Sequence, residues 1–328
     1  VRVPRLRGRL RAADLGLLIN EDDPYSEEVG QAYARLRGLA SHQVLRVRLP
    51  LRPALERAEF DALRARIDEA WALRDDLQAL ACAWAWPYAV GCQSLTAALS
   101  LGLDEQLCRH TCGRPTPSRY FNHATHRPWS DLRLRPSMLI AAPDVPAALA
   151  LIERGKAADG SLGRRGAPPV EAWFVSTSDA ARSVRTPLYP RPAKLSPVGV
   201  EIRVAEADEL QQATRVLLFQ TGAVRVHHLE RLSFVAGALA DHLTSFGGRL
   251  EGAMGQMSAL EWIAAGATAS YGTVSEPCNH PQKFPHPQVL LLHYLQGSTA
   301  LEAYWKSVAW PQQGVFVGDP LAAPFARA

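Results

Sequence analysis

The chain has 328 residues, of which 47% are hydrophobic and 21% are charged, and its formal net charge is +4. This composition is typical of a folded globular protein and excludes an intrinsically disordered chain. No run of about 18 apolar residues is present, so no membrane-spanning segment is predicted. The first eleven residues, "VRVPRLRGRLR", contain five arginines and no acidic residue. We therefore predict a basic, disordered tail over residues 1–12 and expect no nucleic-acid partner for the rest of the chain.

The first elements form a strand–helix–strand pattern of the length of a βαβ unit. An apolar strand is predicted over 15–20, and Asp23 followed by Pro24 predicts the start of a helix that Gly38 ends. A second strand is predicted over 44–50. A long amphipathic helix follows over 53–80, with Leu73 on its apolar side. A buried strand is predicted over 80–90, and residues 102–136 are predicted to form an irregular excursion.

The second half continues to alternate between strands and helices. One predicted helix starts at Asp144, and two others begin with capping boxes, Ser258 with Glu261 and Thr299 with Glu302. The predicted strands of this half lie at 137–142, 170–179, 200–204, 215–220, 237–241 and 268–274, before a closing "GVFVGDP". Many of these strands are unbroken apolar runs, which is typical of a parallel sheet covered on both faces. We predict one α/β domain over 13–328, with a mainly parallel sheet and helices on both faces.

Polar residues follow many of the predicted strands, and in parallel α/β sheets ligands bind at that carboxyl edge. This pattern predicts a polar rim that binds a peptide or other polar ligand. The ligand-binding residues predicted for the rim are Asp22, Asp23, Ser178, Asp179, Arg182, Thr244, Glu276, Asn279 and Lys283. No nucleotide-binding glycine motif is present, and no cofactor is predicted.

The segment "DHLTS" raises the hypothesis of hydrolysis. His242 would act as the base, Asp241 or Asp179 would orient it, and Ser245 or Cys278 would attack. Adjacent residues of a strand point to opposite faces, which makes Asp241 a poor direct partner for His242. The GxSxG motif of α/β-hydrolases is absent. The alternative is that these side chains only fix nearby loops.

The chain contains five cysteines, at positions 82, 92, 108, 112 and 278. Cys108 and Cys112 are compatible with reduced thiols or with a local disulfide in an exported protein. Cys278 is compatible with a reactive thiol or with a packed or disulfide-bonded sulfur. The spacing is a poor zinc pattern, and no metal site is predicted. No signal peptide is visible before the first predicted strand, and both a removed leader and a non-standard start codon stay open.

Four long segments carry a resemblance to a known family: "TSDAARSVR", "GALADHLTSFGG", "QMSALEWIAAGATASYGTVSEPCN" and "YWKSVAWPQQGVFVGDPLAAPF". They resemble a bacterial family of unknown activity that occurs mainly in genomes encoding the exosortase/PEP-CTERM sorting system. "LGLLINEDDPYSEEVGQAYARLRGL" fits the same family. The resemblance implies an exported protein, periplasmic or extracellular, with a cytoplasmic location as the alternative.

More distantly, the carboxyl-terminal half is similar to the caspase–gingipain group of cysteine peptidases. "AAGATASYGTV" is similar to the helix and strand after the nucleophile of that group, and "VGDP" to its closing turn. The positions that would hold the catalytic histidine and cysteine are "TGAV" (221–224) and "DHLTS" (241–245), which offer neither in the right place. The resemblance therefore implies a non-catalytic relative with a ligand-binding rim. A hydrolase with a rearranged pair of Cys278 and His242 and a structural envelope protein are the alternatives.

Overall fold

The computed structural model describes residues 1–327, which form an α/β fold. Its strands are β1 (Leu15–Asn20), β2 (Val44–Val47), β3 (Ala54–Leu55), β4 (Ala79–Cys82), β5 (Ala89–Val90), β6 (Gln93–Ser94), β7 (Ser137–Leu139), β8 (Val170–Ser176), β9 (Ala193–Leu195), β10 (Val200–Glu206), β11 (Ala213–Gly222), β12 (Leu232–Leu243), β13 (Ala269–Thr273) and β14 (Gly314–Gly318). The helices are α1 (Pro24–Arg37), α2 (Arg57–Trp71), α3 (Leu95–Leu101), α4 (Glu105–Arg109), α5 (Pro128–Leu132), α6 (Val145–Ala158), α7 (Ala259–Ala264), α8 (Pro287–Leu295) and α9 (Ala300–Ser307).

Eleven of these strands form one sheet in the order β2-β1-β4-β7-β14-β13-β12-β11-β8-β10-β9. The sheet is mostly parallel; β13 and β14 pair antiparallel, as do β9 and β10. The short strands β3, β5 and β6 form a separate small sheet. The predicted α/β class with a mainly parallel sheet is therefore confirmed.

Helices cover both faces of the large sheet. On β1, Gly16 faces the Trp71 ring of α2, whereas Ile19 packs against Gly30 of α1 on the other face. A Cβ atom at Gly16 would come within 2.8 Å of the Trp71 ring, so the missing side chain lets this helix approach the strand. Each face of the sheet is thus shielded from water, which explains why all six residues of β1 are buried.

The helix signals read from the sequence act as expected. The Asp23 carboxylate accepts a hydrogen bond from the Tyr25 amide at 3.0 Å and so caps α1. Gly38 ends α1 in the left-handed conformation, with φ of 69°. Both predicted capping boxes, at α7 and α9, are present.

Two predictions in the first half need correction. The helix predicted over 53–80 is shorter and spans Arg57–Trp71. Leu73, placed on its apolar side, lies beyond the helix and is 96% exposed. The strand predicted over 80–90 is split into β4 and β5 by a loop around Pro87. Proline interrupts the sheet ladder because it lacks an amide proton.

The basic segment 1–12, predicted to be disordered, lies along the protein. The Leu6 amide donates to the Gln296 side chain at 3.1 Å, and the Leu10 amide donates to Glu302 at 3.1 Å. Leu10 is buried. Hydrogen bonds from its backbone amides to the side chains of Gln296, just after α8, and of Glu302 in α9 therefore hold this segment in place.

The irregular excursion 102–136 contains only the short helices α4 and α5 and is joined to the rest of the chain by two disulfides. Cys92 pairs with Cys108, and Cys112 pairs with Cys278. Cys82 is buried in β4 as a free thiol. None of the helices formed by residues 1–327 has the length and apolar composition that crossing a bilayer requires.

Candidate functional site

The loops after β8, β11, β12 and β13 meet at one edge of the sheet. Thr177 donates to the backbone carbonyl of Gly222 at 2.5 Å. Arg182 reaches the Thr244 hydroxyl at 3.3 Å, and Thr273 donates to the carbonyl of Ser245 at 2.9 Å. Segments far apart in the sequence are thus joined by side-chain contacts along the carboxyl ends of their strands. The carboxyl ends of these four strands therefore lie together along one edge of the sheet.

Asp241 lies beneath this rim in a buried ionic network. Its carboxylate accepts from Arg185 at 2.6 Å and from the Gln220 amide at 2.8 Å. Arg185 also donates to the carbonyls of Thr221 and Pro285. Asp241 and Arg185 are each only 1% exposed. Burial raises the pKa of Asp241, and the neighbouring guanidinium opposes that rise. The network joins β11, β12 and the loop after β8, which is a structural role.

His242 points to the opposite face of β12 from Asp241, as the alternation of a strand requires. Its Nδ1 accepts a hydrogen bond from the Trp262 indole at 3.0 Å. The proton of the neutral ring therefore sits on Nε2, which has no hydrogen-bond partner among residues 1–327. His242 is 1% exposed, and burial lowers its pKa to about 3. A buried, neutral ring beside Trp262 is not presented at the rim as a general base, which corrects the catalytic prediction for His242.

The burial of His242 predicts an acid-sensitive fold. Because the unfolded histidine has a pKa of about 6.5, the unfolded state binds more protons than the folded state between that pH and about pH 3. Stability should therefore fall as pH falls through 6.5. We expect His242 to contribute a slope of about 1 kcal/mol per pH unit between pH 6 and pH 5. Urea unfolding of His242→Asn at both pH values should show the slope reduced by that amount, while His293, whose pKa burial also lowers to about 3, keeps its own contribution. An unchanged slope would contradict the assignment.

Cys278 cannot serve as the nucleophile in this structure because its sulfur is bonded to Cys112, with the two Cα atoms 5.2 Å apart. A disulfide sulfur is not a thiolate, so the predicted pair of Cys278 and His242 is absent. Ser245, the other predicted nucleophile, is half-buried, and its backbone carbonyl accepts from Thr273. The structure therefore contains no catalytic dyad made from the predicted residues.

Several predicted ligand-binding side chains fix the rim loops instead. Asp179 pairs with Arg182 at 2.7 Å, and Thr244 donates to the Gln256 side chain at 2.7 Å. Ser178 donates to Asp208 through both its amide and its hydroxyl, at 2.7 and 2.9 Å. These bonds lower the pKa of Asp208. In this part of the rim the polar side chains hold loops in place, which is the alternative that the sequence analysis left open.

The residues after β13 likewise hold their own loop. Glu276 accepts from the Cys278 amide at 2.8 Å, and the exposed Asn279 adopts a positive φ of 54°. The Lys283 ammonium donates to the Thr111 carbonyl at 2.5 Å. Burial lowers the pKa of Lys283 to about 8. Together with the Cys112–Cys278 disulfide, these bonds attach the excursion to the rim.

A cleft of about 650 Å³ opens where the loops of the two halves of the sheet face each other. The first half contributes Asp23 and the loop after β4, including the 41% exposed Trp86. The second half contributes Arg225 after β11 and residues 250–252 after β12, with the outer side of α7. Asp22, also predicted here, lies outside the cleft wall and is exposed. Of the predicted ligand-binding residues, Asp23 lines this cleft and the others do not.

The polar groups of the cleft are mainly acidic. Asp23, Glu251 and Glu261 line it together with one guanidinium, that of Arg225. Arg225 pairs with Glu261 at 2.5 Å, whereas Glu251 accepts from the neutral Tyr88 hydroxyl, at 2.9 Å. Burial raises the pKa of Asp23. Within residues 1–327, no group of three potential metal-ligating side chains is placed to hold a metal ion.

The sequence analysis missed Trp86, Arg225, Glu251 and Glu261, which lie in four separate segments. The signal for Trp86 was available, since the proline in "WPY" argues against a central strand at this position. Glu261 was recognised only as part of the capping box of α7, and Arg225 and Glu251 belong to no motif. These three residues become neighbours only through the fold.

Comparisons with protein-family models, with curated proteins and with solved structures find no match to this chain. The fold itself defines the class, an α/β protein with a large, mostly parallel sheet and a cleft at the carboxyl ends of its strands. The two resemblances stated from the sequence therefore stay expectations.

Proposed function

We propose that this protein is a binding protein whose cleft takes a ligand with an apolar body and a cationic group, such as a lysine-containing peptide segment. The observation that carries the proposal is the acidic set of Asp23, Glu251 and Glu261 around a cleft of about 650 Å³. Clefts of this size are typical of sites for small ligands.

The charge balance favours a cation. One guanidinium, that of Arg225, faces three carboxylates, and it is already paired with Glu261. Glu251 is exposed and has a neutral partner, so its charge is available to a ligand. A charge-assisted hydrogen bond to such a carboxylate is stronger than a neutral one.

The walls favour an apolar body next to that charge. Leu51 and Trp86 are 53% and 41% exposed, and both line the cleft. An exposed indole offers a flat apolar surface and attracts a cation to its ring face. An alkylammonium side chain satisfies both features.

The test is calorimetric titration of the protein with acetyl-leucyl-lysine amide and with its uncharged analogue acetyl-leucyl-norleucine amide. We expect the lysine compound to bind on the order of 10-fold more tightly, because only it forms a charge-assisted bond to Glu251. Glu251→Gln should remove that preference.

Glu28→Gln is the matched control, since Glu28 is exposed on α1 and lies outside the cleft wall. It carries the same loss of charge and should leave the preference intact. Equal binding of the two compounds, no binding of either at millimolar concentration, or equal effects of the two substitutions would each contradict the proposal.

We also propose that the protein works in an oxidising compartment, the periplasm or the outside of the cell. Two disulfides support this location, since such bonds are typical of exported proteins. The bonded Cys278 and the buried His242 support a non-catalytic relative of the caspase–gingipain group rather than a peptidase.

A further inference from the structure

A second cleft lies near the amino end of β1, beside the docked amino-terminal segment. It has a volume of about 450 Å³. Its walls come from four parts of the chain: residues 6–14, 126–127, 296–297 and 327. The carboxyl-edge cleft is lined by a different set of residues, so the two sites are independent.

The side chains of this cleft are mainly basic. Its arginines are Arg7, Arg9, Arg11, Arg127 and Arg327, and His126 lies among them. Asp14 is the carboxylate of the wall, and it accepts a hydrogen bond from the Arg11 amide at 2.7 Å. Within residues 1–327, none of these five guanidinium groups has a carboxylate within 4.0 Å. Five guanidinium groups and one carboxylate leave an excess of positive charge around one concavity, and this excess attracts an anion.

The amino-terminal segment that lines this cleft is held in place by hydrogen bonds. Gln296 binds the segment on both sides, accepting from the Leu6 amide and donating to the Pro4 carbonyl at 3.1 Å each. Arg9 donates to the backbone carbonyl of Arg327 at 3.0 Å. A Cβ atom on Gly8 would come within 3.0 Å of the His126 ring, so glycine permits close packing there. The buried Nδ1 of His126 has no hydrogen-bond partner among residues 1–327.

We propose that this cleft binds a small, multiply charged phosphate compound. Guanidinium groups match the geometry of phosphate oxygens in pairs, and several arginines around one cavity neutralise several charges of one ligand. The concave shape of the cleft favours a free compound with linked phosphates over the flat surface of a membrane, which presents single headgroups.

The probe is inorganic pyrophosphate, titrated calorimetrically into the whole chain at fixed salt. We expect one saturable site. Arg7→Gln with Arg11→Gln should weaken it by on the order of 100-fold, because each of the two charge-assisted contacts contributes about as much as a tenfold change in affinity. Arg127→Gln should also weaken binding, although residue 127 is far from the amino-terminal segment in the sequence.

Arg2→Gln with Arg5→Gln is the matched control. Both arginines are exposed in the same segment, and neither lines the cleft. This pair should change the affinity by less than about threefold, as expected for screened surface charge. All these positions lie outside helices and strands, and all are exposed, so circular dichroism should show an unchanged fold.

Three outcomes would overturn the proposal. Equal losses from the two double variants would show general attraction to a basic segment. Binding to phosphatidylglycerol vesicles without binding of pyrophosphate would show a lipid surface instead. An absence of pyrophosphate binding to the unmodified chain would show that the cleft does not recognise linked phosphates.

Discussion

Asp241→Ala is expected to lower the free energy of unfolding by about 3–5 kcal/mol. The substitution leaves the buried Arg185 guanidinium without its carboxylate, 2.6 Å away in the native chain. The carbonyls of Thr221 and Pro285 still accept from Arg185, but they carry no full charge to balance it. Urea unfolding followed by both tryptophan fluorescence and circular dichroism measures the loss.

Two further variants test the cause of that loss. Asp241→Leu with Arg185→Met removes both charges and should recover most of the stability, because an apolar pair can replace a buried ion pair. Glu69→Gln breaks the exposed pair with Arg66 and should cost less than about 1 kcal/mol. If Asp241→Ala costs no more than Glu69→Gln, the buried pair does not hold the rim together.

Removing the Cys112–Cys278 disulfide is expected to cost about 5 kcal/mol by the loop-closure relation. This bond joins residues 166 positions apart, so it restricts the unfolded chain much more than a short loop would. The double variant Cys112→Ser, Cys278→Ser should therefore show a lower unfolding midpoint in urea than the parent chain.

The second disulfide supplies the control. Cys92 and Cys108 are 16 positions apart, and Cys92→Ser with Cys108→Ser should cost about 3 kcal/mol. A larger loss from the short loop would contradict the loop-length argument. Mass spectrometry after alkylation of the unfolded, unreduced chain should find one labelled thiol, that of Cys82; labelling of all five would show that neither bond forms.

Local signals predicted much of the fold. The capping pattern at Asp23 and Pro24, the stop at Gly38 and the box at Ser258 each depend on residues a few positions apart, and each was confirmed. The failures came from patterns with two physical interpretations. The apolar run 80–90 indicated one strand, yet the chain forms two short strands on either side of Pro87, because proline also ends a sheet ladder.

The site was less predictable because its contacts are not local. The rim edge followed from parallel topology, and the opposite directions of Asp241 and His242 followed from strand alternation. Nothing near Asp241 in the sequence indicates Arg185, which lies 56 positions away. The pairing of Cys112 with Cys278 could not be predicted from the spacing, because five cysteines can form disulfides in several different combinations. The chemistry of Asp241 and of Cys278 therefore depends on partners that are distant in the sequence.

Hydrogen exchange measured by mass spectrometry, with and without acetyl-leucyl-lysine amide, tests the proposed binding cleft most directly. The ligand should slow exchange together in the loop after β4, in residues 249–253 and in α7, since all three line the cleft. Slowed exchange confined to residues 1–14, or no change in any of the three segments, would contradict a ligand site at the carboxyl edge of the sheet.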